Sequence, residues 1–210
     1  MKIVILIPGA CPTPHAWKSV ENLLVYLQAQ GHEVHRFGLY CPVIHHGRNM
    51  MLLNGQNQRV DAKPFGFDYD KMLWLETDMV FSPEDAMKLL EADADMVSAL
   101  YAMGPGQEDF AVAGLYKDGQ EMRFVIPSRS QTKEDLTPAE FCGLGMVAVR
   151  KGVFEAMQYP WFDTLYETSA DGTVRYVGDD FGFCKKVRAH GFRIYVHNHV
   201  RAGHEKQVVL

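Results

Sequence analysis

The triplet Glu76-Thr77-Asp78 closes the apolar run "KMLWL" and precedes "MVFSPED". Two carboxylates one residue apart in an extended segment point to the same side, and without a cation between them their repulsion raises a pKa. A hard divalent ion, Mg²⁺ or Mn²⁺, taken through oxygen ligands and shared with a diphosphate, relieves that conflict. The competing reading is a solvated turn at a strand end, since so short a pattern recurs by chance. A second acidic pair, Asp179 and Asp180, stands at the head of a helical pattern running from Gly178 to His190. Gly178 or Asp179 is suited to cap that helix, and acids are favoured near its N-terminus. Adjacent helix positions face different sides, so one aspartate is expected to cap while the other faces a cleft. His197 and His199 share one side of an extended strand, but neither nearby cysteines nor an HExxH helix accompanies them to make a zinc site.

The elements that must position these groups follow from hydrophobic periodicity. Ile3 to Ile7 reads as a buried strand, the loop "PGACPTP" follows, and Trp17, Val20, Leu23, Leu24 and Leu27 fall at helical spacing before Gly31. "EVHRFGL" reads as a strand, "GRNMMLLNG" as part of a short helix, "KMLWL" as a strand, Ser82 to Ala92 as a helix and "DMVSALY" as a strand. Ser82 is a good N-cap, Pro83 fits the first helical position, and Asp85 sits where a capping-box acid belongs. This alternation predicts an α/β fold, a Rossmann-like, mainly parallel mixed sheet flanked by helices. From about Gly104 the pieces shorten to "FAVAGLY", "MRFVI", "FCGLGMVAVR" and, after the Gly178 helix, "FRIYVH", which extend the sheet with antiparallel strands. Ligands in such sheets gather beyond the carboxyl ends of the strands, where Glu76 and Asp78 lie.

Composition narrows the partners. With 210 residues and 47% hydrophobic content the chain is expected to form one domain. A net charge of −5 and a pI near 6.0 argue against nucleic acid or an anionic membrane. The opening "IVILI" is too short to cross a bilayer and lacks the flanks of a signal peptide. Cys11, Cys41, Cys142 and Cys184 form no CxxC pair, and reduced thiols in a cytoplasmic protein are the simpler expectation, with two disulfides left open.

Three stretches, in order, carry a resemblance that covers roughly residues 65 to 206. "FDYDKMLWLETDMVFSPEDAMKLLEADADMVSALY" resembles the DxD segment of GT-A fold glycosyltransferases, with Glu76 in place of the commoner first aspartate. "CGLGMVAVRKGVFEAMQYPWF" is similar to their acceptor-side segment, and "VGDDFGFCKKVRAHGFRIYVHNHVRAGHEK" to their acidic helix start and late histidine. The resemblance implies the GT-A (nucleotide-diphospho-sugar transferase) fold, with a nucleotide-binding half over about 1–103 and an acceptor and catalytic half over about 104–210. It implies a Mn²⁺ or Mg²⁺ site of Asp78, Glu76 and His204, where Glu76 touches the metal, its water or the ribose. Pro8, Gly9 and Ala10 are placed at the base and ribose, Thr77 among the donor-binding residues, and Lys206 at the diphosphate. Arg48 is placed at the base or phosphates, with a solvated helix arginine as the competing reading. Asp180, with Asp179 beside it, is the implied general base of an inverting transfer, or in a retaining enzyme a group that orients the acceptor. Trp161 and Phe162 either stack on an acceptor sugar or belong to the core. Gly143 and Gly145 either admit substrate close to the backbone or serve a tight turn.

The expected activity is transfer of a sugar from a nucleoside diphosphate sugar, a UDP-sugar first, to a hydroxyl acceptor such as a glycan or glycoprotein. Because the chain ends soon after His204, the resemblance also admits further domains in a longer protein. A dehydrogenase is disfavoured because "PGACPTP" is not GxGxxG. A nucleotidyltransferase is disfavoured because no lysine or arginine lies between Lys2 and Lys18. A phosphatase with a DxD nucleophile would carry it after its first strand. A binding module without turnover stays as the alternative.

Overall fold

The computed structural model describes residues 1–104, 111–117, 121–124, 126, 133–168 and 171–205. The chain opens with β1 (Lys2–Pro8), α1 (Pro14–Ala29), β2 (Glu33–Leu39), α2 (Ile44–Leu53) and β3 (Lys71–Leu75). The short β4 (Met79–Val80), α3 (Pro83–Glu91) and β5 (Met96–Leu100) follow. Next come β6 (Ala113–Lys117), β7 (Glu121–Arg123), β8 (Leu136–Ala139), β9 (Phe141–Cys142) and β10 (Met146–Arg150). The remainder is α4 (Val153–Ala156), β11 (Tyr166–Thr168), β12 (Val174–Tyr176), α5 (Asp179–Ala189), β13 (Ile194–Arg201) and β14 (Gly203–His204).

The seven-stranded sheet has the order β2-β1-β3-β10-β5-β13-β8. β2, β1, β3, β5 and β13 run one way, and β10 and β8 oppose them, so the sheet is mixed and mainly parallel. Its central strands β1, β3, β5 and β10 are largely apolar because helices cover both faces. Ile3, Ile5, Leu73 and Leu75 point to the face carrying α1 and α3, while Val4, Leu6, Met72 and Trp74 point to the face carrying α2, α4 and α5. Fully burying side chains of this size stabilises the fold by about 1.5–3 kcal/mol each.

The helix ends follow local chemistry. Thr13 caps α1 by accepting from Ala16 N at 3.3 Å, and Ser82 caps α3 by accepting from Asp85 N at 3.1 Å. Gly31, just past the α1 C-cap Gln30, has φ +76°, the left-handed position a helix end favours. Gly178, not Asp179, caps α5, with φ +89°. No disulfide joins the cysteines, and Cys142 and Cys184 are buried side by side, the Cys184 thiol donating to Cys142 O at 3.4 Å.

Candidate metal and donor site

β1, β3 and β5 all end on the same edge of the sheet, and the groups singled out above meet there. Glu76 and Asp78 do not continue the strand. They lie in a turn, with Met79 N donating to Glu76 O at 3.3 Å and Glu76 N held by Gly145 O at 2.8 Å. The expectation of two acids on one side of an extended segment is thus corrected, since the chain reverses into β4 right after β3. The turn still brings both acids to one point. There β14 pairs antiparallel with β4, placing His204 opposite Met79. One ligand atom each from Glu76, Asp78 and His204 lies within 4.8 Å of the others, the one such group of three among the described residues.

The histidine is oriented for the role. Its Nδ1 lies 2.8 Å from Ala102 O, and a carbonyl only accepts, so Nδ1 carries the hydrogen. The neutral ring therefore turns the Nε2 lone pair toward Asp78 Oδ2, 3.2 Å away. A lone pair facing a carboxylate is relieved either by a proton on the ring or by a cation between the two. Imidazole and carboxylate donors together suit Mn²⁺, and with a second carboxylate adjacent the donor set fits a divalent ion. A carbonyl bond to the far ring nitrogen is also the usual support of a ligating histidine.

Tyr101 completes the frame. Its ring meets His204 edge-on at 5.6 Å, and its buried hydroxyl accepts from Gly145 N at 2.8 Å. Burial, then the anions of Glu76 and Asp180, push its phenol well above the ordinary range. A Cβ on Gly145 would stand 2.7 Å from Tyr101 Cζ, and one on Gly143 would also collide with the hydroxyl. Both glycines leave room for a tyrosine, a reason that neither alternative read from sequence, substrate at the backbone or a tight turn, had named. Tyr101 escaped the sequence reading, although two glycines flanking Leu144 were a sign that something large packs on them.

Arg48 overturns its solvated-helix reading. Its side chain is only 2% exposed, and its guanidinium binds Glu76 at 3.1 Å, Asp179 at 2.5 Å and Asp180 more closely still. Burial acts to lower its pKa, but Asp180, Asp179 and Glu76 outweigh that and raise it. Asp179 and Asp180 thus share one partner instead of facing apart. Side chains in a first helical turn lean toward the N-terminus, and Arg48 waits beyond that end. Asp180 also accepts from Leu144 N at 3.2 Å. Glu76 is raised above the usual carboxylate range by burial and by Asp180, which Arg48 only partly offsets.

Trp161 and Phe162 resolve to the core reading, 0% and 1% exposed. The Phe162 ring lies 5.7 Å from the Arg48 guanidinium carbon and floors it, and Asn49, the next residue, accepts from Trp161 N and Phe162 N at 3.1 and 3.0 Å. Pro8, Gly9 and Ala10 lie in the loop after β1. Gly9 sits against Thr77, where a Cβ would come 3.2 Å from the Thr77 methyl, and Thr13 N donates to Thr77 O at 2.8 Å. That loop and the end of β2 wall a cleft of about 430 Å³ that includes Trp17, Arg36 and Tyr40. His197 is buried on β13 and His199 is exposed beside Asp135, 3.7 Å away, and neither belongs to the metal group. Lys206 lies outside the described residues.

No protein-family model matches the sequence, and no curated protein matches it. Solved structures do match in fold. GalNAc-T7, crystallised with UDP, GalNAc and Mn²⁺, superposes with a TM-score of 0.58 at 13% identity, covering 99% of this chain and 43% of that one. A Drosophila β1,4-galactosyltransferase 7 mutant, in complex with manganese, UDP-Gal and xylobiose, superposes at 0.50 and 13% identity, covering 98% of this chain and 71% of that one. The chain has the GT-A fold, and it spans less than half the length of the GalNAc-T7 chain.

Proposed function

We propose that this chain is a metal-dependent glycosyltransferase that moves a sugar from a nucleoside diphosphate sugar, a UDP-sugar, to a hydroxyl acceptor. The observation that carries the proposal is the convergence of Glu76, Asp78 and His204 at the carboxyl edge of a GT-A sheet, 4.8 Å or less apart and beside the acidic start of α5. UDP and manganese in both similar structures support the choice of base and metal.

In this reading Asp78, Glu76 and His204 hold the ion. Once bound, the ion neutralises charge on the departing diphosphate as a Lewis acid. The cleft lined by Gly9 and Ala10 is large enough for a nucleoside, and Thr77, which packs against Gly9, and Pro8, which precedes it, are assigned to the same donor site. Lys206 is assigned the diphosphate, as a point charge. Asp180 takes the proton of the acceptor hydroxyl as that oxygen attacks the anomeric carbon, with inversion. Arg48 aims Asp180 through their ion pair.

One observation favours a second reading. Both Asp180 oxygens are engaged, one by Arg48 and one by Leu144 N, which suits a group that orients an acceptor, or a module that binds donor without turnover. The test begins with thermal unfolding in UDP, GDP or CDP, each with Mn²⁺ or chelator, for the native chain and Asp78→Ala. A nucleotide at a hundred times its dissociation constant stabilises by about 2.7 kcal/mol, a shift of roughly 5–10 °C for a domain of this size. The expected result is a Mn²⁺-dependent shift with UDP that Asp78→Ala removes. Release of UDP from UDP-sugars then separates the two readings. Turnover lost in Asp180→Asn with the UDP shift retained supports the base, whereas a native chain that binds UDP and turns over no donor is a binding module. No shift with any nucleotide returns Glu76 and Asp78 to a structural turn.

A further inference from the structure

The β11–β12 hairpin presents an aromatic face that the metal and donor site does not use. Its register pairs Tyr166 with Tyr176, Glu167 with Arg175 and Thr168 with Val174. Side chains alternate across a strand, so Tyr166, Tyr176, Thr168 and Val174 share one face and Glu167 and Arg175 the other. The charged face is anchored. Glu167 accepts from Arg175 at 3.2 Å and pairs with Lys185 of α5, and Val177 N donates to Leu165 O at 2.8 Å. A two-stranded ribbon is marginal alone in water, and these bonds fix it to the helix that begins with Asp179 and Asp180.

The opposite face is open. Tyr166, Tyr176 and Val174 are 64%, 53% and 62% exposed, and the two tyrosine rings lie 5.6 Å apart, inclined at 59°. Tyr176 ends β12 only three residues before Asp179, the first residue of α5, which places it beside the acidic pair, and its phenol is pushed up by partial burial and then by Asp179, Tyr166 and Asp180. Rings of this kind offer an apolar surface with a polar tip. A pyranose offers the complement, a face of C–H bonds rimmed by hydroxyls. The adjacent carboxylates Glu76, Asp78, Asp179 and Asp180 outnumber the cation Arg48 that they surround among the described residues, which disfavours an anionic occupant such as a nucleic acid or an acidic lipid surface.

Resting on the glycosyltransferase reading, the geometry points to Tyr166 and Tyr176 as the stacking platform for a neutral pyranose of the acceptor. The acceptor class is then a molecule already bearing sugar, a glycan to be extended, and not a bare polypeptide hydroxyl. The platform holds the acceptor ring on the hairpin while the hydroxyl to be modified reaches Asp180.

The experiment is saturation-transfer NMR on the whole chain with UDP and Mg²⁺, using methyl glycopyranosides of neutral hexoses, N-acetylhexosamines, pentoses and deoxyhexoses. Transfer to the C–H protons of one ring face is expected for at least one glycoside. Tyr166→Ala and Tyr176→Ala should each weaken its binding about tenfold, as loss of an aromatic contact implies, while Tyr→Phe at either position stays within about threefold. Both tyrosines are exposed, so the variants should unfold at the native temperature. The thermal shift with UDP reports the donor reading independently, because it does not involve the hairpin. No glycoside contact in the native chain, or contact unchanged in the double alanine variant, overturns the platform. Sedimentation supplies the remaining arm: a native dimer that the double variant makes monomeric assigns the face to a second copy and also overturns it.

Discussion

At the residue scale the site is an arrangement of charge that sequence shows only in pieces. Glu76, Asp179 and Asp180 are 28, 131 and 132 positions from Arg48, and no local pattern in "HHGRNMM" announces that all three turn on its guanidinium. The acids themselves were visible as pairs at the end of an apolar run and at a helix start, but a strand-end turn and the helix dipole each account for such acids without a site, so their meeting was not. Removing this buried cation leaves the three carboxylates it binds without their shared partner, so Arg48→Met should cost about 3–5 kcal/mol at neutral pH. Arg48→Lys should recover only part, since an ammonium lacks the planar fork. Urea unfolding of both variants measures this. Glu76 yields a prediction of opposite sign. Its folded pKa is raised, so the native state binds the proton more tightly than the unfolded chain does, and stability present below about pH 4.5 is lost as pH rises through the raised value. In chelator, Glu76→Gln should therefore be the more stable protein at pH 7. The difference should disappear as pH falls below 4.5, the ordinary carboxylate value. With Mn²⁺ and UDP the order should reverse, because the amide is the poorer ligand. Denaturant unfolding across pH, with and without the ion, tests both halves.

At the element scale, what was readable depended on how completely each segment is buried. β1, β3 and β5 are nearly continuous apolar runs and were placed within a residue or two, the piece read as "FCGLGMVAVR" divides into β9 and β10, and α3 and α5 carried their caps in sequence. β8 was missed because Leu136–Ala139 is a four-residue outer strand containing Pro138, a residue tolerated at sheet edges. The β11–β12 hairpin was missed because strands of three largely exposed residues have no hydrophobic period to read. The Trp161–Phe162 segment was ambiguous for the opposite reason, since aromatic content alone does not separate a sugar platform from a core. The turn between β9 and β10 makes a sharper test of how elements hold the site. Gly145→Ala drives a methyl into the buried Tyr101 ring, which has His204 on its other contact and cannot retreat cheaply. Overpacking of this kind costs about 1–3 kcal/mol. Unlike an ordinary core defect, it should also weaken Mn²⁺ binding, because the displaced ring carries His204 with it. Calorimetric titration of Mn²⁺ in the presence of UDP, set beside the unfolding midpoint, distinguishes the two effects.

At the scale of the molecule, the two halves expected from sequence are joined through the sheet itself. β10, from the second half, lies between β3 and β5 of the first, pairing with Leu75 to Lys71 on one side and with Ser98 to Met96 on the other. Both apolar layers also draw residues from each half: Trp74 packs with Phe162, and Leu73 and Ala99 share a layer with Met146 and Ala148. A nucleotide half cut free at residue 103 would expose the facing edges of β3 and β5 together with the surfaces that α4, α5 and β10 cover. Unpaired backbone groups at those edges have no internal substitute, and the burial that offsets chain entropy is lost with them. Fragments 1–103 and 104–210 are therefore each expected to lack a cooperative unfolding transition, and an equimolar mixture is expected to regain one, together with any UDP-dependent stabilisation the intact chain has. Far-UV circular dichroism in urea follows both. Should 1–103 alone unfold cooperatively, with a denaturant slope in proportion to its length, the first half would be a separable domain, and β10 would be an addition to a sheet that closes without it. The expected outcome instead makes donor binding a property of the whole sheet. Glu76 and Asp78 come from one half and His204 from the other, and the strand that holds the halves in register is the one whose first turn positions Glu76 through Gly145.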